Sequence, residues 1–232
     1  MTHDWLRITL SFAAAACFSV TTASAQVRTT PAQAGPDDGI VTIPEKLDSA
    51  CRLGRAKLYD ECTDQLAVFE TARMRAAAEN KVLLVSYGAE WCIWCHVFDK
   101  YIHGEKSRFE YAFGSPGAPE ARKTATLFER EREDVTADAT ALNKYVGNSF
   151  VIAHIDAQYA PNSLAVLQKT GAASHAGGFI PFIFVVDRDG RYAGHINHDL
   201  VEVRRDTNDP YRGYDRRKLL TELQRVHAAA SR

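Results

Sequence analysis

The sequence predicts an α/β protein with a central mixed sheet that ends in an antiparallel hairpin at one edge. Two observations carry this prediction. Strand-length apolar runs at residues 82–87, 150–155 and 182–186 alternate with stretches of helical periodicity, which is typical of a sheet flanked by helices. The turn residues 187–190 then join the last run to residues 191–196, its expected hairpin partner.

The helices are predicted from apolar residues that recur at three- and four-residue steps. They are expected over residues 45–80 as an N-terminal extension, then over 92–103, 139–146, 163–169 and near 219–226. Gly54 weakens the extension, so two short helices are as reasonable as one. Thr136 or Asp138 is the expected cap of the helix at 139–146. Residues 104–135, with several glycines and prolines and a charged run at 129–134, are expected to form an insertion, part loop and part solvated helix.

The first residues predict export. Residues 1–25 combine a positive residue, Arg7, with a short apolar run and a small-x-small site ending at Ala25, as in a secretory signal peptide. We expect cleavage after Ala25, a periplasmic or otherwise exported protein, and no stable membrane insertion afterwards. The apolar run is shorter than the roughly 20 residues of a membrane span, although an uncleaved anchor is the alternative. Residues 26–44 are expected to be a flexible linker and residues 45–232 the folded domain.

The charge balance argues against one class of partner. The chain has 28 basic and 29 acidic residues and a formal net charge of -1. Binding to nucleic acid usually needs a basic patch or stripe, so no nucleic-acid partner is expected.

Signal cleavage would leave four cysteines: Cys51, Cys62, Cys92 and Cys95. In an oxidising compartment an even set predicts disulfides, and the spacing favours 51 with 62 and 92 with 95 among three connectivities. In one straight helix, Cys51 and Cys62 would lie about 16 Å apart, beyond the roughly 7 Å limit for a bridge. Two outcomes are therefore possible: either the helix breaks near Gly54 and a structural disulfide forms, or the two thiols are separate. A second redox pair that relays electrons to Cys92 is a further alternative.

Cys92 and Cys95 follow a buried strand and open a helix. Unpaired backbone N–H groups in the first turn of a helix stabilise a thiolate, which lowers the pKa of the sulfur. We therefore expect Cys92 to be an exposed nucleophile. Cys95, most of a turn deeper, would resolve the mixed disulfide. Glu90 and His96 are candidates to modulate these pKa values, His96 as a cation on the same helix face or simply as an exposed polar residue.

Two separated segments resemble the thioredoxin superfamily: residues 88–95, with the sequence GAEWCIWC, and residues 178–190, which hold Ile180 and Pro181. The resemblance covers roughly residues 65–229, outside the insertion. It implies a thioredoxin-like fold, a cis peptide bond before Pro181, and an Ile180 backbone that pairs with a substrate strand.

Ile180 and Pro181 would form part of the substrate-binding site. Trp91 and Trp94 would complete it as an apolar rim, with Trp94 the more exposed. The chain departs from the superfamily in two places. Ser86 stands where thioredoxins proper carry a buried Asp that helps proton transfer from the resolving cysteine. Ile93-Trp94 replaces Gly-Pro between the cysteines.

The resemblance implies a thiol–disulfide oxidoreductase that exchanges disulfides with protein cysteines and an unidentified redox partner. It would need no cofactor beyond the redox-active pair Cys92/Cys95, and the direction of electron transfer is left open. One alternative is a binding or scaffold module with an inert disulfide. Another is a c-type haem protein, because Cys92-x-x-Cys95-His96 is also a haem-attachment pattern.

Three other histidines are not expected to take part in catalysis or metal binding. His195 and His198 are too few ligands to predict a zinc site, so no metal is expected. His154, on an apolar strand, is expected to be a core residue with its hydrogen bonds satisfied.

Overall fold

A computed structural model describes residues 39–54, 56–105, 109–115, 118–127, 135–203 and 213–232. Its strands are β1 (Val41–Ile43), β2 (Val82–Gly88), β3 (Phe109–Ser115), β4 (Ala118–Leu127), β5 (Phe150–Asp156), β6 (Phe182–Val186), β7 (Tyr192–His195), β8 (Glu202–Val203) and β9 (Gly213–Tyr214). Five of them form one mixed sheet in the order β1-β5-β2-β6-β7. β1, β5 and β2 are parallel, whereas β6 and β7 are each antiparallel to the preceding neighbour.

The helices are α1 (Gln65–Ala78), α2 (Ile93–Ile102), α3 (Val135–Ser149), α4 (Ser163–Thr170), α5 (His198–Val201) and α6 (Arg216–Ala230), with short 3-10 turns at Cys51–Gly54 and Ala172–Ser174. The predicted α/β class is confirmed. So are the apolar strands β2, β5 and β6, the hairpin partner β7, and the helices α2, α4 and α6.

The sheet separates two apolar cores because successive strand residues point to opposite faces. On β2, Leu83 and Val85 face a core completed by α1 and α4. Leu84 faces the opposite core, which is completed by α2, α3 and α6. Ser86 has the same parity as Leu84, so it lies on the α2 side of the sheet. Parallel central strands buried on both faces explain why their sequences are continuous apolar runs.

The start of α1 is fixed by Asp64, whose Oδ1 accepts the N–H groups of Leu66 at 2.8 Å and Ala67 at 3.2 Å. Such a cap contributes about 1 kcal/mol. It makes the chain before Asp64 a loop rather than a continuation of the helix.

The structure corrects four expectations. Val41–Ile43, within the predicted linker 26–44, pairs with β5 as an edge strand. The extension 45–80 is one short 3-10 turn and α1, with no helix over 56–64. Within 104–135, the described residues form the β3–β4 hairpin rather than loop and helix. α3 begins at Val135, so Thr136 and Asp138 lie inside its first turn and do not cap it.

The charged run 129–134 and the predicted signal peptide, together with most of the predicted linker, lie outside the described residues. In the ranges that the structure describes, none of the helices combines the length and the apolar character that crossing a membrane requires.

Candidate dithiol site

The dithiol lies at the junction between β2 and α2. Cys92 is the N-cap residue of α2, and its N–H donates to the carbonyl oxygen of Ala89 at 2.9 Å, which closes a turn after the strand. The N–H of Cys95 donates to the carbonyl oxygen of Cys92 at 3.1 Å, so the two residues occupy one helical turn. Both thiols are free, so the disulfide that the spacing favoured between Cys92 and Cys95 is not formed in this structure. The Cys92 sulfur therefore lies at a helix N-terminus, as predicted.

The two sulfurs differ in their acid–base properties. Cys92 has a lowered pKa, chiefly because the Cys95 thiol hydrogen-bonds its thiolate, and further because backbone N–H groups of Cys95 and Trp94 interact with it. Cys95 has a pKa raised well above the usual value, chiefly by complete burial and then by the negative charge and hydrogen bond of Cys92. The arrangement favours one negative charge on the pair, carried by Cys92.

Cys92 is not exposed, contrary to the prediction: only 5% of the residue is accessible. The half-buried side chains of Leu58, Trp91, Trp94 and Ile180 pack around the cluster that holds both cysteines, which is why the nucleophile is covered. A partner would have to reach the sulfur between these side chains.

The predicted cis peptide bond is present between Ile180 and Pro181. The Ile180 carbonyl oxygen lies at the dithiol, where it accepts from the Cys92 thiol at 3.5 Å. Residues 88 positions apart in the chain therefore meet at the reacting sulfur. Of the residues predicted for substrate binding, Ile180 and Trp91 pack against the cysteine cluster, and Pro181 immediately precedes β6.

Trp94 is half-buried rather than freely exposed, since its ring packs edge-on against Tyr214 at 5.6 Å between ring centroids. Phe179 is the exposed aromatic residue in this part of the chain, with 72% of its surface accessible. Sequence reasoning missed Phe179, although its position directly before Ile180 in the resembling segment was a usable signal.

The structural disulfide predicted between Cys51 and Cys62 is present, with the two Cα atoms 5.9 Å apart. The turn between them is not a helical hairpin. Asp60 holds it instead: its Oδ1 accepts the N–H groups of Cys62 at 2.9 Å and Thr63 at 3.0 Å. The disulfide thus closes a loop that begins with the 3-10 turn Cys51–Gly54 and is named here the disulfide loop (residues 51–62).

Glu90 fastens the disulfide loop to the dithiol segment. Its Oε2 accepts the N–H of Leu58 at 2.9 Å and the N–H of Tyr59 at 3.1 Å. The carboxylate is itself buried, so these charge-assisted hydrogen bonds are stronger than exposed ones. Glu90, predicted to modulate a pKa, is seen here to hold the loop in place.

The disulfide loop carries Tyr59, a residue that sequence reasoning missed, into the site. Tyr59 is completely buried and clusters with both cysteines. Its hydroxyl lies 2.9 Å from the Ser86 Oγ. No local pattern predicts this contact, because it joins a loop to a strand 27 residues away.

His96 fits neither of its predicted roles. It is 5% exposed, and its Nε2 donates to the Glu90 carbonyl oxygen at 2.7 Å. Burial lowers the pKa of His96, which outweighs the nearby Glu90, so the ring is neutral at pH 7 and is no cation. Because its Nε2 is engaged in this way, His96 is not placed to bind a haem iron through that nitrogen.

His154 is a core residue, but its hydrogen bonds are not satisfied. Among the described residues neither ring nitrogen has a hydrogen-bond partner, and Nε2 lies 3.8 Å from the Asp99 Oδ1. Burial lowers the pKa of His154 to about 4, against the opposing effect of Asp99. The Tyr59 and His154 rings form a T-shaped pair, with 5.3 Å between their centroids.

His195 and His198 have separate partners. His195 hydrogen-bonds Tyr192, and the Nδ1 of His198 lies 2.9 Å from the Glu202 Oε1. In the described part of the chain, one group has metal-ligand spacing, Cys51 with Asp60 and Cys62, and its two sulfurs are joined as the disulfide.

No protein-family model matches this chain, and no curated protein matches it. Fold and site together define the class: an α/β protein with a mixed five-stranded sheet, a dithiol at the start of a helix, and a separate disulfide that braces it.

Proposed function

We propose that this chain is an exported thiol–disulfide oxidoreductase with a thioredoxin-like fold. The observation that carries the proposal is the placement of the two free thiols. Cys92 caps α2 and faces the Ile180 carbonyl oxygen, while Cys95 lies fully buried one turn further along the helix. A nucleophile with a lowered pKa and a close second thiol are what two-step disulfide exchange requires.

The reaction uses the difference between the sulfurs. The Cys92 thiolate attacks one sulfur of a protein disulfide, which forms a mixed disulfide and releases the other substrate sulfur as a thiolate. Cys95 then loses its proton and attacks Cys92, which forms the Cys92–Cys95 disulfide and releases the second thiolate. Two electrons pass from the pair to the substrate, and oxidation of a substrate dithiol runs through the same steps in reverse.

The thioredoxin-like fold is supported by where the two resembling segments lie. The dithiol follows β2, a central strand with a parallel neighbour, and cis-Pro181 precedes the antiparallel β6. An extended substrate segment would pair with the backbone at Ile180, next to the reacting sulfur. Trp91 and Trp94 would contact its apolar side chains, and so would the exposed Phe179.

Export is supported by the disulfide between Cys51 and Cys62, because such bonds persist in oxidising compartments. Cleavage after Ala25 predicts a mature protein that starts at Gln26. N-terminal sequencing of the protein recovered from the periplasm tests this, and recovery of a chain that retains Met1 would contradict it.

The exchange function is tested by trapping. Cys95→Ala should leave Cys92 joined to protein partners in mixed disulfides that a reductant releases, whereas Cys92→Ala/Cys95→Ala should form none. The wild-type protein should also turn over a disulfide substrate such as insulin. Absence of adducts and of turnover, with a reduction potential below about -300 mV, would point to an inert disulfide in a binding module.

A further inference from the structure

The resolving cysteine poses a chemical problem in this protein. Cys95 is completely buried, and burial is the main reason that its pKa is raised. Yet Cys95 must become a thiolate to attack the mixed disulfide. Ser86, at the position where the resemblance implied a proton-transferring Asp, cannot act as a carboxylate.

The Tyr59 hydroxyl lies beside this sulfur. A Cβ atom at Gly88 would lie 2.5 Å from the Cys95 Sγ and 2.5 Å from the Tyr59 Oη, so the sulfur and the hydroxyl converge on the same small space beside β2. Burial remains the main influence on the pKa of Cys95 and raises it, while the Ala89 backbone and the Tyr59 side chain act to lower it. The absence of a side chain at Gly88 is what allows this approach.

Ser86 is placed to orient the Tyr59 hydroxyl towards the sulfur. A hydroxyl carries one hydrogen, so a Tyr59 hydroxyl that donates to the sulfur must accept from Ser86. The 2.9 Å contact between Tyr59 Oη and Ser86 Oγ allows this. Two hydroxyls aligned in one direction polarise each other, which strengthens the donor that faces Cys95.

Two interactions hold the Tyr59 side chain in this position. Its backbone N–H is bound by the buried carboxylate of Glu90, and the loop on which it lies is closed by the Cys51–Cys62 disulfide. Burial also keeps the pKa of Tyr59 well above its usual value, with the charge of Cys95 as the next cause, so its proton stays in place at neutral pH.

We propose that Tyr59 is a catalytic residue that stabilises the Cys95 thiolate by a hydrogen bond while Cys95 resolves the mixed disulfide, and that Ser86 is its positioning residue. This inference rests on the proposed exchange function. Cys95 releases its proton to solvent, its thiolate forms a bond to the Cys92 sulfur, and the bond from Cys92 to the substrate breaks. The substrate sulfur leaves with the electron pair, and Tyr59 keeps its own proton throughout.

The two steps can be followed separately with an aromatic disulfide, 5,5′-dithiobis(2-nitrobenzoate). Attack by Cys92 releases one coloured thiolate, and resolution by Cys95 releases a second. With Tyr59→Phe we expect the first phase to stay within about twofold of wild type. The second phase should slow by about tenfold to hundredfold at pH 7, equivalent to about 1.4 to 2.8 kcal/mol. Its pH midpoint should also rise.

Two further variants separate this role from a structural one. Ser86→Ala should slow the second phase less than Tyr59→Phe does and leave the first unchanged. The control variant Tyr145→Phe removes a tyrosine hydroxyl from α3 and should change neither phase. A Tyr59→Phe protein with the wild-type second phase, or with both phases slowed equally, would overturn the role given to Tyr59. Failure of wild type to release any coloured thiolate would overturn the exchange function and this inference with it.

Discussion

The two cysteine pairs of this protein have the same side chains and different surroundings. Cys51 and Cys62 are joined, and they close a loop whose turn is held by hydrogen bonds to Asp60. Cys92 and Cys95 are free, and the first of them lies at a helix N-terminus beside the Ile180 carbonyl oxygen. Stabilisation of a thiolate at the helix start makes Cys92 a nucleophile, whereas Cys51 and Cys62 serve as a cross-link.

The pairs are also physically connected. The disulfide loop presents Tyr59, and Glu90 of the dithiol segment binds the backbone of that residue. The Cys51–Cys62 disulfide therefore stabilises the loop whose Tyr59 packs against Cys92 and Cys95. Each of the following changes tests one side of this comparison.

Loss of the nucleophile should abolish catalysis. Cys92→Ser should reduce insulin reduction to the uncatalysed background, because the attacking sulfur is gone. Cys51→Ala/Cys62→Ala should retain measurable turnover, since neither sulfur reacts in the proposed mechanism. Turnover that survives in Cys92→Ser, or disappears only when Cys51 and Cys62 are removed, would reverse the roles assigned to the pairs.

Gly88→Ala should damage the contact between the pairs. The added methyl would meet both the Cys95 sulfur and the Tyr59 hydroxyl at 2.5 Å, and overpacking of this kind costs about 3 kcal/mol of unfolding free energy. Urea unfolding measures the loss. Gly194→Ala is the matched control, because its Cβ would sit 3.7 Å from Val226, an ordinary contact. Equal stability of the two variants would show that the space beside Gly88 is not tight.

Removing the cross-link with Cys51→Ala/Cys62→Ala should lower the free energy of unfolding by about 3 kcal/mol, the value expected for closing a loop of this length. Denaturant unfolding of the oxidised wild type and of the variant gives the difference. A loss close to zero would mean that the loop is held by Glu90 and Asp60 alone.

His154 lies against Tyr59, and it should make the protein sensitive to acid. Its pKa is lowered to about 4 in the folded state, from about 6.5 in an unfolded chain. The unfolded state therefore binds more protons between these values, so stability falls as the pH drops from about 6.5 towards 4. At pH 5 the loss is about 2 kcal/mol. His154→Phe should remove this part of the loss, and an unchanged pH profile would contradict the burial of a neutral ring.

The sequence alone predicted the parts of the molecule that depend on local pattern. β2, β5 and β6 are continuous apolar runs because both of their faces are buried. Cys92 and Cys95 were found from their spacing after a strand. The cis bond at Pro181 followed from the resembling segment.

What the sequence did not predict depends on contacts between distant segments. β1 has only three residues, too few to show a periodicity. The burial of His96 accompanies its hydrogen bond to the Glu90 carbonyl oxygen, and Tyr59 reaches Ser86 from residues 56–64, which form neither helix nor strand. The β3–β4 hairpin lies in a stretch whose glycines and prolines indicated a loop.

The most direct test is the pH dependence of alkylation, measured separately for Cys92 and Cys95 in the reduced protein by mass spectrometry. Burial slows the reaction of Cys92 at every pH, so the midpoint rather than the rate reports its pKa. We expect a Cys92 midpoint below the value of about 8.5 for a free cysteine. Cys95→Ala should move this midpoint upward, because the main hydrogen-bond donor to Cys92 is lost. A Cys92 midpoint at or above the free value, or modification of Cys95 before Cys92, would contradict it.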